Sequence, residues 1–281
     1  MANQMDLYTE TCFKCSKVIT HQYSTSFGMG IKAFDKGCQD AIYAIYGFVR
    51  YADEIVDTFH GHDKAKLIAG FRLETFIAIE QGISLNPVLQ SFQYVVNKYR
   101  IEKDLIEAFL RSMEMDLEKT AYTETGYQEY IYGSAEVVGL MCLRVFCSND
   151  DELYRKLLPG ARSLGAAFQK VNFLRDVRSD FEERGRTYFP GVDFAGFTLR
   201  DKQLIEADIQ QDFDNAITGI RGLPKAARLG VYVAYVYYLQ LFKKIKGISP
   251  QVILQKRVRI NDGYKMALYV KALLKQRFNM I

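Results

Sequence analysis

The sequence has no tryptophan and only three histidines and five prolines among its 281 residues. The prolines are at positions 87, 159, 190, 224 and 250, so long stretches remain in which a helix can run without interruption. Hairpin dipeptides such as Asn-Gly are scarce, and so is the alternation of apolar and polar residues that marks a half-buried strand. These absences argue against a β-sheet protein, and the sequence predicts an all-α fold.

The five cysteines form no metal-binding pattern. Cys12 and Cys15 are spaced as a CxxC pair, but no second pair and no nearby histidine completes a zinc site. Cys38, Cys142 and Cys147 fall within predicted helices, where cysteine acts as a small apolar residue. We therefore expect reduced thiols in a cytoplasmic protein.

The charge balance argues against a nucleic-acid-binding protein. The net charge is +4, and no basic run extends beyond the pairs Lys243-Lys244 and Lys256-Arg257. The first ten residues, MANQMDLYTE, lack the basic start and apolar core of a secretory signal. The most apolar stretch, Leu229–Phe242, is shorter than the roughly 20 residues of a spanning helix. We expect a cytoplasmic protein, and contact with the inner face of a membrane stays open.

Helical periodicity covers most of the chain, and no Gly-, Ser- or Pro-rich linker divides it, so we predict a single domain over residues 1–281. The stretch GRTYFPGVDFAGF contains three glycines and a proline without a helical stripe, and we predict a loop there. The predicted helices span Asp6–His21, Lys36–Thr58, Lys64–Gln81, Pro87–Tyr99, Lys103–Asp116, Glu124–Cys147, Asp150–Arg184, Arg200–Gly219, Pro224–Ile245 and Asp262–Phe278.

Three oxygen-bearing residues recur at four-residue intervals in the stretch NFLRDVRSD, namely Asn172, Asp176 and Asp180. Four residues are just over one helical turn, so the three side chains share one face. Like charges at this spacing repel by a few tenths of a kcal/mol, and surface helices usually alternate acids with bases. A stripe made only of acceptors, set among apolar residues, indicates a bound cation.

A second acidic stripe lies upstream in YGFVRYADEIVDTF, where Arg50, Asp53 and Asp57 share one helical face. This stripe alone does not indicate a metal site, because acid pairs at this spacing are common on solvated helices. A surface salt bridge between Arg50 and Asp53 would contribute only about 0–1 kcal/mol. Both stripes, however, lie in apolar segments, where uncompensated carboxylates cost several kcal/mol to desolvate. Two such helices facing one another would supply hard oxygen ligands that suit Mg²⁺ bridging to a diphosphate.

The aromatic content fits this interpretation without requiring it. Tyrosine and phenylalanine number 19 each, and their ring faces can stabilise a developing carbocation in an apolar pocket. Aromatic residues at helical spacing are nevertheless most often ordinary core residues. The two acidic stripes, rather than the aromatic residues, therefore carry the functional interpretation.

Four motifs in this order resemble the squalene/phytoene synthase family, whose members are head-to-head prenyltransferases. The first is YSTSF, similar to the Ser-x-Ser-Phe element of the family, and the second is AIYAIYGFVRYADEIVD, similar to its first Asp-rich helix. The third is YQEYIYGSAEVVGLM, and the fourth is AFQKVNFLRDVRSDFEERGRTYFP, similar to the second acidic signature and its Gly-Arg-x-Tyr-x-Pro tail. The resemblance spans nearly the whole chain and is strongest to phytoene synthases of carotenoid pathways.

The resemblance implies an isoprenoid-synthase helical bundle with a central cavity. It also implies a condensation of two geranylgeranyl diphosphates, through a cyclopropyl diphosphate, to phytoene. Two or three Mg²⁺ ions would assist, and NADPH would not be needed. The product is hydrophobic, which favours peripheral contact with a membrane and transfer to a downstream desaturase.

The resemblance also implies roles for individual residues. Tyr130 would lie beside the reacting cation and act in catalysis together with Asp53, Asp57, Asp176 and Asp180. The metal ligands would be Asp53, Asp57, Asn172, Asp176 and Asp180. The substrate would contact Ser24, Ser26, Phe27, Arg50, Gln169, Arg175, Tyr235 and Arg257.

Two departures and several alternatives stay open at this point. Glu136 stands where small residues are more usual in the family, and Glu54 follows Asp53 where some relatives have a second aspartate. A dehydrosqualene or squalene synthase using two farnesyl diphosphates is the nearest alternative. A non-catalytic assembly factor of the same fold would be expected to lose the acids, and all four are present. Terpene cyclases and head-to-tail prenyltransferases carry acidic motifs with different spacing.

Overall fold

The structure is a computed structural model that describes residues 4–118, 121–182 and 186–278. The described residues are almost entirely helical, and their one isolated β-bridge joins Ala121 to Thr187. The predicted all-α fold is therefore confirmed. The helices are α1 Gln4–Tyr23, α2 Thr25–Lys32, α3 Lys36–Asp57, α4 Lys64–Gln81, α5 Pro87–Tyr99, α6 Lys103–Glu118, α7 Glu124–Ile131, a π-helical turn Tyr132–Glu136, α8 Val137–Cys147, α9 Asp151–Glu182, a 3₁₀ turn Phe194–Gly196, α10 Leu199–Gly222, α11 Lys225–Lys246, α12 Pro250–Gln255 and α13 Asp262–Arg277.

The ends of the long helices follow their capping residues. Asn86 accepts a 3.0 Å hydrogen bond from the backbone N–H of Val88 at the start of α5, and Pro87 occupies the first helical position. Thr198 and Asp201 form a reciprocal capping box at the start of α10. These polar caps satisfy backbone N–H groups that the first turn of a helix leaves without partners.

Three differences from the predicted helices concern short or irregular segments. The helices α2 and α12 have eight and six residues, too few for helical periodicity to be recognised. The helix predicted over Glu124–Cys147 is interrupted by the π-helical turn at Tyr132–Glu136. Its five residues retain a helical appearance in the sequence, so periodicity does not reveal the change in hydrogen bonding.

The core is centred on α3, whose inward face is apolar. Phe48 is fully buried and stacks on Phe92 of α5 with ring centroids 3.8 Å apart. It also contacts Phe71 of α4 and Phe109 of α6 at 5.5 Å and 5.4 Å. Burial of one such side chain stabilises the fold by roughly 1.5–3 kcal/mol. This packing fixes α3 and therefore the direction of its acidic stripe.

Two close helix contacts shape the region around the later site. A Cβ on Gly160 of α9 would lie 2.8 Å from the Cα of Gly219 on α10, so side chains are excluded where these helices cross. A Cβ on Gly133 would lie 2.5 Å from the carbonyl oxygen of Ala108. The π-helical turn is thereby held against α6. This contact brings the end of α7 beside the last turns of α6.

By length and composition, the stretch Glu124–Cys147 is the one helix among the described residues that is long and apolar enough to cross a membrane. However, 61% of its most apolar window is buried inside the protein. That burial is what a core helix shows, since its apolar side chains are already covered by neighbouring helices.

Candidate active site

A cavity of about 670 Å³ runs along α9 through the centre of the bundle. One end is polar and receives Asn172, Asp176 and Asp180 from α9. The other end is apolar and begins near Leu157, so the lining residues of α9 span about 35 Å, from the 23 residues between Leu157 and Asp180 at 1.5 Å each. Cavities of this size hold organic ligands at least as large as typical drugs. The shape fits a long apolar molecule with a charged head.

Helix α3 contributes the other acidic stripe to the same polar end. Asp53 and Asp57 line the cavity there, because the opposite side of α3 is taken up by buried core residues. Arg50 also lines it, with its guanidinium 4.3 Å from the ring centroid of Tyr23. The nearest acidic partner of Arg50 is Glu54, whereas Asp53 is 3.9 Å away. The structure therefore brings the two predicted stripes together across one cavity.

The α9 stripe is surrounded by donors. Asn172 accepts a 3.3 Å hydrogen bond from the hydroxyl of Tyr238. Arg257 lies 2.7 Å from the carboxylate of Asp176, and Arg175 donates to the same carboxylate at 3.0 Å. Burial alone would lower the pKa of Arg175, but the hydrogen bond to Asp176, the charge of that carboxylate and two nearby tyrosines together raise it. Two arginines thus contact one carboxylate, and an anion bound at this position would be within reach of both.

Arg186 connects the two sides of the polar end. Its side chain lies 3.3 Å from the carboxylate of Asp57 and 3.5 Å from that of Asp116, and it donates to the backbone carbonyl of Asp116 at 2.8 Å. Its own backbone N–H bonds to the carbonyl of Asp180 at 2.8 Å. Burial alone would lower the pKa of Arg186, but the charges of Asp116 and Asp57 and the contact with Tyr188 together raise it. Arg186 therefore stays charged at the centre of the site.

Tyr130 lies at the boundary between the polar and apolar parts of the cavity. Its hydroxyl donates a 2.9 Å hydrogen bond to Asp116. Its ring lies 5.3 Å from that of Tyr188 and 6.0 Å from that of Phe173, centroid to centroid. Burial, followed by the charge of Asp116, raises the pKa of Tyr130 well above its usual value. The hydroxyl is therefore a neutral, oriented donor beside a set of aromatic faces.

Most of the other predicted contact residues also line the cavity. Ser24 caps α2 by accepting a 3.1 Å bond from the N–H of Phe27, and the ring of Phe27 lies 4.9 Å from that of Tyr46. Gln169 lies on α9 one turn before Asn172 and lines the cavity as well. The side chain of Ser26 lies outside the described residues.

The structure corrects the prediction that Tyr235 lines the pocket. Its ring packs against Phe213 and Tyr232 in the core, at 5.6 Å and 6.1 Å, and Tyr235 is absent from the cavity wall. Tyr238, three residues later on α11, lines the cavity instead and stacks on Phe168 at 3.9 Å. An aromatic stripe in a sequence does not reveal which side of the helix faces a cavity.

The sequence interpretation also missed Asp116, Arg186 and Tyr188, all of which line the cavity. Asp116 is one of three acids in the run SMEMDLEK, and nothing in its spacing distinguishes it from an exposed helix acid. Arg186 and Tyr188 belong to the Gly-Arg-x-Tyr-x-Pro tail of the fourth motif. That tail was the available signal for both of them. The unusual Glu136 pairs with Arg162 and is not part of the cavity wall.

The sequence profile of the squalene/phytoene synthases matches residues 20–263. This chain belongs to the squalene/phytoene synthase family. The curated relatives agree, and the chain is identified as a prenyltransferase enzyme. A 15-cis-phytoene synthase of Paracoccus sp. (strain N81106 / MBIC 01143) is 28% identical over 88% of this chain and 86% of the relative. A phytoene synthase of Pseudescherichia vulneris is 25% identical over 89% and 87%.

Solved structures share the fold of this family member. A dehydrosqualene synthase in complex with a ligand superposes with a TM-score of 0.80 over 98% of this chain and 99% of the other, at 18% identity. A squalene synthase from Alicyclobacillus acidocaldarius gives 0.75 over 86% and 95%, at 19% identity. The isoprenoid-synthase bundle expected from the resemblance is therefore confirmed.

The family implies magnesium, and the donor set of this chain fits it. Four carboxylates and one amide oxygen from α3 and α9 line one end of one cavity, and hard oxygen ligands are those that Mg²⁺ prefers. No three acidic, histidine or cysteine side chains in the described ranges lie close enough to hold one ion alone. Mg²⁺ usually binds through one or two carboxylates, waters and substrate phosphates. The arrangement suits ions that bind together with a diphosphate.

Proposed function

We propose that this protein is a Mg²⁺-dependent phytoene synthase that condenses two geranylgeranyl diphosphates head to head. The observation that carries the proposal is the meeting of the α3 and α9 acidic stripes at the polar end of one long apolar cavity. The similarity to phytoene synthases over nearly the whole chain supports the choice of reaction. The cavity contains both a site for charged heads and space for prenyl chains.

The arginines would bind the diphosphates. Arg50, Arg175, Arg186 and Arg257 line the polar end, and each now lies near a carboxylate of this chain. Guanidinium groups pair well with phosphate oxygens through two parallel hydrogen bonds. A diphosphate would accept these bonds in place of the carboxylates. It would thereby free carboxylate oxygens such as those of Asp176, which two arginines contact.

Asp53, Asp57, Asn172, Asp176 and Asp180 would hold the Mg²⁺ ions. When bound, the ions would neutralise charge on the diphosphate and so favour its departure. Asn172 would be oriented for this task by its bond from Tyr238. The acids would remain necessary even though arginines are present. The site has near-equal numbers of acids and bases, so the charge of a diphosphate would be offset by the Mg²⁺ ions that the acids hold.

The reaction would proceed by two ionisations. The first diphosphate leaves with its bonding electrons, and the allylic C1 cation attacks the double bond of the second substrate. Loss of a proton closes a cyclopropyl ring and gives the cyclopropyl diphosphate. Departure of the second diphosphate lets the ring rearrange to join the two C1 carbons. A final proton loss leaves a conjugated central triene, and none of these steps requires a reductant.

The chain's own residues would protect the cations. The rings of Tyr130, Phe173 and Tyr188 form a stacked group at the end of the polar region, with Phe173 and Tyr188 centroids 3.9 Å apart. Aromatic faces stabilise a nearby cation by about 0.5–2 kcal/mol each, more where water is excluded. Tyr130 keeps its proton on the hydroxyl oxygen because that proton bonds to Asp116. Its ring, rather than a phenolate nucleophile, would therefore face the carbocation.

The proposal is tested by product analysis. The purified protein is incubated with Mg²⁺ and equal amounts of geranylgeranyl and farnesyl diphosphate, with and without NADPH, and hydrocarbons are identified by mass. The expected product is a C40 triene whose yield does not depend on NADPH. A C30 product would keep the prenyltransferase chemistry but move this chain to the dehydrosqualene or squalene branch. The absence of any head-to-head product with either substrate would reject the proposal.

A further inference from the structure

The positive charge of the chain is concentrated in its last fifth. Residues 225–281 contain 12 of the 37 lysines and arginines but only one of the 33 acidic residues, which gives +11. The preceding residues 1–224 hold the other 25 bases and 32 acids, which gives −7. The net charge of +4 is therefore the sum of two regions of opposite sign. A one-signed region of this size attracts a partner of the opposite sign.

Within that region, α13 is apolar on two opposite faces. Leu268 and Ala272 are buried, at 7% and 1% exposure. The opposite face exposes apolar side chains at spacings of three and four residues, which form one stripe. An outward helix face of a soluble protein is normally polar, and a contiguous exposed apolar stripe marks an interaction site. The stripe consists of Met266, Val270, Leu273 and Leu274, exposed by 53%, 47%, 39% and 50%.

Exposed basic side chains lie on α13 itself and on the segments next to its start. Helix α13 runs antiparallel to α11, because Lys275 lies 3.2 Å from the hydroxyl of Tyr232 while Tyr264 lies 3.5 Å from Gln240. The basic end of α11 is therefore beside the start of α13, where the amine of Lys244 bonds to the carbonyl of Arg259 at 2.6 Å. The exposed bases of this surface are Lys243, Lys244, Lys246, Arg259, Lys271 and Arg277.

We propose that the α13 surface, defined as this apolar stripe and these six bases, docks on an anionic lipid bilayer. Aliphatic side chains would enter the interface, and the lysines and arginines would contact negatively charged headgroups. A second copy of this chain would bring the same positive region against itself, and like charges at an interface repel. A nucleic acid would pair with the bases but leave the apolar stripe without a partner. Of these three partners, the bilayer is the one that satisfies both halves of the surface.

The position of α13 gives this docking a consequence. Lys265 and Leu268 of the same helix line the central cavity, so the docked helix forms part of the cavity wall. An apolar molecule in the cavity would be separated from the bilayer by one helix. The docking itself rests on exposure and charge and does not depend on the proposed reaction.

The proposal is tested by flotation with phosphatidylcholine vesicles that contain about 30% phosphatidylglycerol, compared with pure phosphatidylcholine vesicles. The wild-type protein should float with the anionic vesicles, and binding should fall at least about tenfold between about 0.05 M and about 0.5 M salt. The double variant Val270→Glu/Leu274→Glu should lose at least about tenfold in binding. The matched control is Leu73→Glu on α4, which is 63% exposed but outside the basic region, and it should bind like wild type.

Several results would overturn the proposal. One is equal binding of the double variant and the wild type, and another is equal binding to neutral and anionic vesicles at every salt concentration. A third is a wild-type dimer, seen by sedimentation, that the double variant abolishes, because a second copy would then cover the stripe. Circular dichroism and turnover in detergent check that the variant is folded. If it is not, the charge variant Lys271→Glu/Arg277→Glu, on two exposed side chains, provides the decisive flotation measurement.

Discussion

Tyr130 and Asp116 form a buried pair in which the phenolic hydroxyl donates a 2.9 Å hydrogen bond to the carboxylate. The two residues come from different helices, α7 and α6, which the close approach of Gly133 to Ala108 holds together. Asp116 also contacts Arg186, which reaches Asp57. The pair therefore connects the aromatic part of the cavity with its acidic end.

We predict that Asp116→Asn lowers kcat by about 10- to 100-fold while KM changes little. A hydrogen bond to a charged group contributes about 1.5–3 kcal/mol, and about 1.4 kcal/mol corresponds to a factor of ten in rate. Steady-state kinetics on the prenyl diphosphate would measure the change. The matched control is Glu118→Gln, on the same helix but exposed, which should keep wild-type kinetics. An unchanged kcat in Asp116→Asn would show that orientation of Tyr130 does not matter for turnover.

The raised pKa of Tyr130 predicts how stability depends on alkaline pH. Burial and the charge of Asp116 raise its pKa in the folded protein, whereas an unfolded tyrosine ionises near 10.0. The unfolded chain therefore loses this proton first, and folding stability falls as pH rises above about 10. Below that pH the contribution is fully present.

The test is the free energy of unfolding by urea at about pH 9 and about pH 11 for the wild type and Tyr130→Phe. The wild type should lose more stability between the two pH values than the variant. Burial also raises the pKa of Tyr122, Tyr127 and Tyr238, so the variant should keep part of the slope. Equal slopes would contradict the buried, protonated state of Tyr130.

The two acidic stripes predict a requirement for both helices. Asp57→Ala and Asp176→Ala should each reduce turnover by about 10²–10³-fold or more, because each removes a ligand or charge partner at the diphosphate. Turnover against Mg²⁺ concentration would be measured for each. Asp40→Ala is the control, since Asp40 lies on α3 but is exposed. An active double variant would remove the metal assignment for both stripes.

The sequence predicted the parts of this site that have regular spacing. The intervals of Asn172, Asp176 and Asp180 indicated one helical face, and the structure places that face on the cavity. Asp116 could not be found in this way, because its importance depends on a partner 14 residues away on another helix. Tyr235 and Tyr238 are less than one turn apart, and only the packing against Phe213 or Phe168 tells them apart.

The same reasoning explains the fold. Long helices such as α3 were predicted because a buried face repeats every three to four residues over many turns. The helix α2 follows directly after Ser24, whose cap bond starts it, but eight residues with two glycines give no visible stripe. Irregular backbone at Tyr132–Glu136 is set by packing against α6 rather than by local residue preference.

The core packing behind α3 predicts a large effect of a single truncation. Phe48→Ala should lower the free energy of unfolding by about 3–5 kcal/mol, because the fully buried ring contacts three other rings and leaves a cavity. Urea unfolding followed by circular dichroism would measure it. Leu73→Ala, at a position 63% exposed, should change stability by less than about 0.5 kcal/mol. Comparable losses in both variants would contradict the described core.

The apolar end of the cavity predicts a shift in product length. Ala161 of α9 lines the apolar part of the cavity, four residues after Leu157 and eleven before Asn172. Ala161→Phe would fill part of the space that a long prenyl chain needs, while Asp176 and its neighbours stay about 22 Å away along the helix, from 15 residues at 1.5 Å each. We expect the ratio of C40 to C30 hydrocarbon to fall at least about tenfold when both substrates compete, because a lost fit of about 1–3 kcal/mol is typical for one pocket contact.

Ala226→Phe, on α11 outside the cavity wall, is the control and should leave the ratio unchanged. If Ala161→Phe retained the wild-type ratio with normal turnover, the prenyl chain would have to lie elsewhere, and the apolar arm along α9 would not set chain length.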